Sequence, residues 1–147
     1  MSALTRFFFR PTTLAQLSPW ATIAWWESRR PAYNIAVGSV GLVTLAAANA
    51  ISSLPPDANP IPLAANLIAP VVYAVAANAC YTLGWGAELL LRKWLGDEVS
   101  PAGPAMFRYG FVFSIGLTLL PIAFAGIDWL VRVLRATMAS PSPPAPA

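Results

Sequence analysis

The chain has no histidine and one cysteine among its 147 residues. Without imidazole there is no haem or chlorophyll-type ligation through histidine, no histidine-dependent triad and little scope for zinc. With one thiol there is no intrachain disulfide, thiolate zinc site or iron–sulfur cluster. That thiol, Cys80, lies in an apolar run and reads as a small packing residue. Charge is also scarce. Charged residues are 10% of the chain, against about 25% in a soluble domain. The net charge of +3 is not gathered into any long basic run, which argues against a nucleic-acid partner. No nucleophile–base pair can be assembled from what remains, so the sequence reads as a non-enzyme without a cofactor or metal.

What the chain has in excess is apolar surface. Hydrophobic residues make up 57%, and a soluble fold of this length would lack the polar surface to cover them. The expected class is all-α integral membrane: three transmembrane helices with an N-terminal interfacial amphipathic helix, and the lipid bilayer as first partner. Residues 1–31 read as the interfacial leader and 32–137 as the bundle, with spans at about 32–52, 61–94 and 105–136. Residues 138–147 read as a proline-rich disordered tail.

Arg10 and Pro11 interrupt the apolar patch of Phe7, Phe8 and Phe9, so the start does not read as a secretory signal. Ser18-Pro19 reads as an N-cap followed by proline at the first helical position. The helix it opens, Trp20 to Arg30, is too short to span, and its tryptophans and terminal arginines suit the headgroup region. In the first span, Asn34, Gly38, Gly41 and Ala48 fall on one side and predict a small-residue contact face. The proline-rich turn that follows carries only Asp57 as charge, and Pro60 or Pro62 opens the second span. So short a connection makes the first two spans antiparallel neighbours. Gly96 to Pro104 forms the next breaker cluster. In the third span, Gly110, Ser114 and Thr118 form a small-residue edge, and Pro121 bends the helix without ending it.

Lysine and arginine placement gives the orientation. Arg6, Arg10, Arg29 and Arg30 precede the first span, none lies in the first loop, and Arg92, Lys93 and Arg108 flank the second. The N-terminus is therefore expected on the cytoplasmic side and the Asp57 loop outside. Three spans put the C-terminus outside. A re-entrant end at Pro121 is the competing topology.

The second span runs on into a polar stripe. Asn78, Tyr81, Trp85, Glu88 and Arg92 follow one another by three or four residues and share a face. By membrane level, Arg29 and Arg30 come beside the Gly84 to Glu88 turn, and Asn34 comes within reach of Asn78 and Tyr81. This predicts a polar cluster at the inner end, with Glu88 held by Arg29, Arg30 or Arg92. At the outer end Asn49 and Asn66 come level, either bonded to each other or each facing another partner. Two separate runs resemble a family of uncharacterised small bacterial inner-membrane proteins. One is aromatic-aromatic-Glu-x-Arg-Arg followed by Tyr-Asn, here Trp25, Trp26, Glu27, Arg29, Arg30, Tyr33 and Asn34. The other is Asn-x-Cys-Tyr-x-x-Gly-Trp-x-x-Glu, here Asn78, Cys80, Tyr81, Gly84, Trp85 and Glu88. The resemblance covers about a third of the chain and brings no activity. It implies that the two runs belong together.

Two functions follow as expectations. The favoured one is a non-enzymatic accessory or scaffold subunit among other membrane subunits, in a respiratory or photosynthetic complex, with anionic lipid as a further partner at the inner cluster. The rival is an oligomeric small transporter or channel that uses Glu88 and the intramembrane asparagines.

Overall fold

Pro31 divides the first stretch of helix in two. It has no N–H to give the Glu27 carbonyl and disfavours helical geometry at the residue before it. The computed structural model, which describes residues 18–95 and 103–139, accordingly has α1 at Pro19–Glu27 and α2 at Arg30–Ser52. Ser28 and Arg29 form the joint, and the Arg29 N–H bonds back to the Trp26 carbonyl. Helix α3 spans Leu63–Leu95 and α4 spans Gly103–Ala139. Every element among the described residues is a helix.

Three helical stretches, Pro19–Ser52, Leu63–Leu95 and Gly103–Ala139, are long and apolar enough to cross a membrane. Outward-facing residues such as Leu42, Val71, Val75, Phe113 and Phe124 are more than 60% exposed. A surface of that kind suits hydrocarbon rather than water, as in a multi-pass membrane protein.

The element limits differ from the expected ones in instructive ways. Ser18 does cap α1, its hydroxyl accepting from the Ala21 N–H, with Pro19 in the first turn. The apolar residues of α1, however, are not confined to one face, since Trp20 is open while Thr22 and Trp26 are buried. Nor does α1 depart from the bundle. The antiparallel register that joins Asn49 to Asn66 and Arg30 to Thr82 continues to Trp26 and Glu88, so α1 follows α3 as α2 does. Helix α3 begins just after Pro62, whose carbonyl accepts from the Asn66 N–H. Helix α4 is already under way at Gly103, inside the expected breaker cluster, and continues through Met138 and Ala139. The rest of that cluster, the phenylalanine-rich start and the tail from 140 lie outside the described residues.

The closest packing joins α2 to α4. Tyr33, Val37, Thr44, Ala48 and Ser52 are the buried residues of α2, a stripe with helical spacing. Gly41 belongs to this stripe and meets the Thr118 methyl, whereas space beside Gly38 is open. The contact face is thus rotated by about one residue from the one expected through Asn34 and Gly38, because large Tyr33 and Val37 fill it. On α4 the expected edge is kept at Ser114 and Thr118. Tyr33 donates to the Ser114 hydroxyl at 2.9 Å, and the Tyr73 and Thr118 hydroxyls bond each other. Gly110 has open space beside it and contributes only its carbonyl, to Ser114.

The two ends of the bundle are fastened differently. At one end the Asn49 and Asn66 side chains bond reciprocally, at 2.9 and 3.0 Å. Beside them Arg132 of α4 donates to the carbonyls of Leu54, Pro56 and Asp57, each at 2.9 Å. Trp129 donates to the Pro55 carbonyl. Arg132 therefore satisfies backbone acceptors just past the end of α2, where a helix leaves carbonyls without partners. It also places the last turns of α4 beside the first loop. With α4 unbroken through Pro121, the re-entrant topology does not hold.

This arrangement has a direct check. In a Cys80→Ser background, single cysteines at Asp57 and Thr137 should label from one side of sealed vesicles, and one at Lys93 from the other. A second expectation concerns Arg132→Gln, which removes the charge-assisted bonds to the half-buried loop carbonyls at a cost of about 1–3 kcal/mol. Detergent-purified variant protein should unfold at clearly lower temperature than Arg135→Gln.

Candidate functional site

At the opposite end an aromatic cluster gathers around Tyr81. Trp26, Tyr33, Val37, Tyr81 and Phe107 form its buried core. Trp26 meets Tyr81 and Phe107 edge-on, at 5.4 and 5.8 Å between ring centres, and Tyr33 lies tilted against Tyr81 at 4.8 Å. Such spacings lie in the favourable range for aromatic contacts. The Tyr81 hydroxyl donates to the Trp26 carbonyl, next to the joint that Pro31 creates. Gly84 makes room for this packing: a Cβ there would lie 3.0 Å from the Trp26 ring.

Glu88 lies against the aromatic cluster and is only 3% exposed. A buried carboxylate is costly unless each oxygen is engaged. Here the Trp26 indole N–H donates to Oε2 and Arg92 Nη2 donates to Oε1, both at 2.7 Å. Gly103 at the start of α4 closes over the carboxylate so tightly that a Cβ would collide with it. The one side chain thus ties α1 to α3 and leaves only a glycine-sized space for α4.

A second polar group lies along α2 and α3. Arg30 grips Glu27 through two bonds of 2.7 Å and donates to Asn78 at 3.2 Å and Thr82 at 3.0 Å. Its guanidinium also stands 4.7 Å from the Tyr81 ring centre. Asn34 donates to the same Asn78 oxygen at 3.2 Å. Arg29 turns the other way. It donates to the Trp25 carbonyl at 2.8 Å and stacks 3.8 Å from the Trp25 ring centre.

The structure brings nearly all the predicted inner residues into this end, but distributes the bonds differently. Glu88 is held by Arg92 and not by Arg29 or Arg30, because Arg30 is committed to Glu27 three residues before it. Trp85 packs against the aromatic core. Asn49 and Asn66 are distant from this site and belong to the opposite end. Sequence reasoning missed Trp26 as a ligand of Glu88, Gly103 as its lid and Arg132 as the anchor of the first loop. Trp26 had a signal, since antiparallel register places it opposite Glu88. Gly103 had none, because its role depends on how α4 returns.

Comparison with protein-family models, curated proteins and solved structures gives no match.

Two substitutions probe the Glu88 arrangement. Trp26→Phe keeps an aromatic side chain but removes the donor and part of the ring volume, so we expect a loss of about 1–3 kcal/mol in stability from the bond alone, with the lost volume adding to it. Gly103→Ala should cost about 1–3 kcal/mol through overpacking, while Gly86→Ala, with open space beside it, should be nearly neutral. Thermal unfolding in one detergent would compare all three. Equal stability of Gly103→Ala and Gly86→Ala would refute the lid assignment.

Proposed function

We propose that this chain is a non-enzymatic accessory or scaffold subunit of a bacterial inner membrane, docked beside other membrane subunits in a respiratory or photosynthetic assembly. Its N-terminus is on the cytoplasmic side, and the tryptophans of α1 lie at headgroup level. The observation that carries the reading is the engagement of Glu88. Both its oxygens are taken up by helix-fixing bonds, and the Asn49 and Asn66 amides close on each other. The residues that a transport path would use are thereby committed to holding helices in register. The scarcely buried α3, with only Tyr81 and Glu88 below the surface, adds support by leaving an apolar face open to neighbours.

Gentle detergent extraction followed by native mass measurement tests this reading. We expect co-migration with a larger assembly, lost or weakened in Glu88→Gln. A pure homo-oligomer that moves protons or ions across vesicles, with flux stopped by Glu88→Gln, would establish the transporter instead. A lone monomer would count against both.

A further inference from the structure

Thr44 lies in the α2–α4 contact, 3% exposed, and its buried hydroxyl has no partner among the described residues. Ser114 and Thr118, in the same contact, turn theirs back to carbonyls of α4 at 2.8 and 2.6 Å. A hydroxyl left unanswered inside an apolar bundle is costly. The register of the two helices shows what stands opposite it. Gly41 meets the Thr118 methyl, and Arg132 reaches the Ser52 carbonyl. Thr44, three residues past Gly41, is therefore level with the turn of α4 that follows Thr118. Pro121 occupies that turn. It has no N–H to give the Leu117 carbonyl, and because a helical bond runs along the axis, that carbonyl lies on the same side of α4 as Pro121. This side faces α2. A recess of about 380 Å³ between α2, the first loop and α4 is walled by Ala48, Pro121 and Ala125, with Asn59 and Asp128 also lining it. Ala48 is one turn from Thr44 toward the loop. A hydroxyl and a carbonyl acceptor thus stand at the inner end of an opening roomy enough for water, the conditions under which buried water is held.

We propose that this recess binds water, and that its innermost molecule bridges the Thr44 hydroxyl to the Leu117 carbonyl. Membrane helices accommodate proline by such re-satisfaction of the freed carbonyl. The inference depends on the membrane placement and not on the accessory role, since it holds equally for a lone monomer.

Thermal unfolding of the full chain in detergent tests the bridge, because a wet and a dry contact predict different outcomes. Thr44→Val keeps the shape of the side chain and removes the hydroxyl. With a bridging water the midpoint should fall by a few degrees. That fall should shrink in a Pro121→Ala background, where the restored N–H takes the Leu117 carbonyl. In a dry contact the same change removes only an unpaired polar group, so a midpoint unchanged or raised would overturn the proposal. A fall of the same size in both backgrounds would do so too. The recess itself is read by thiol modification in a Cys80→Ser background. From the side on which Asp57→Cys labels, a charged methanethiosulfonate should modify Ala125→Cys at least about tenfold faster than Ala123→Cys, the exposed position two residues before it. The thiolate is the reacting form, and apolar surroundings that raise a thiol pKa by about one unit remove about nine-tenths of it. Equal rates at the two positions would overturn the proposal.

Discussion

Burying a carboxylate at a helix junction is the constraint from which much of this structure follows. Glu88 lies beneath the surface of a chain with very few charges, and its position is tolerable only with a donor on each oxygen. Arg92, one turn further along α3, supplies one. The other comes from Trp26, on a different helix, so α1 must stay beside α3 to complete the pair. Gly103 must then be a glycine, because the start of α4 comes down on the same group. Removal of Arg92 takes away the countercharge, and removal of Trp26 leaves a buried carboxylate oxygen without its donor. The site is therefore a structural joint first, whatever else docks on it.

The helix break at Pro31 takes part in the same joint. Proline withholds the N–H that would have continued the ladder, and the Trp26 carbonyl next to the break is taken up by the Tyr81 hydroxyl. Tyr81 in turn touches Trp26, Tyr33 and Phe107, so the aromatic packing and the polar bonds share residues. Gly84 lets the Trp26 ring approach α3 closely enough for both. At the far end the logic is similar but the means differ: amides close on each other, and one arginine gathers several carbonyls past the end of α2. Between these ends, Tyr33, Tyr73, Ser114 and Thr118 exchange hydroxyl bonds and leave the outward faces apolar.

This distribution bears on function. Polar groups within an apolar bundle are costly unless they find partners, and those on the described helices that the sequence singles out do so mostly with one another. Such economy suits a subunit whose work is to hold shape beside its neighbours.

Much was determined by the sequence alone. Scarce charge and long apolar runs dictate helices of spanning length, prolines and Ser18 dictate where α1 and α2 start, and helical spacing places Asn78, Tyr81, Trp85, Glu88 and Arg92 on one face. Short connection length makes α2 and α3 antiparallel, which brings Asn49 opposite Asn66 and Arg30 opposite Thr82. Those features are local, or depend on one short loop, so periodicity reaches them. Tertiary structure decided the rest. Which arginine holds Glu88 depended on Arg30 being captured by Glu27, and the rotation of the α2 contact face depended on the bulk of Tyr33 and Val37. The roles of Gly103 and Arg132 depended on the return of α4, whose side chains meet α2 and α3 across separations in sequence that no periodic pattern encodes.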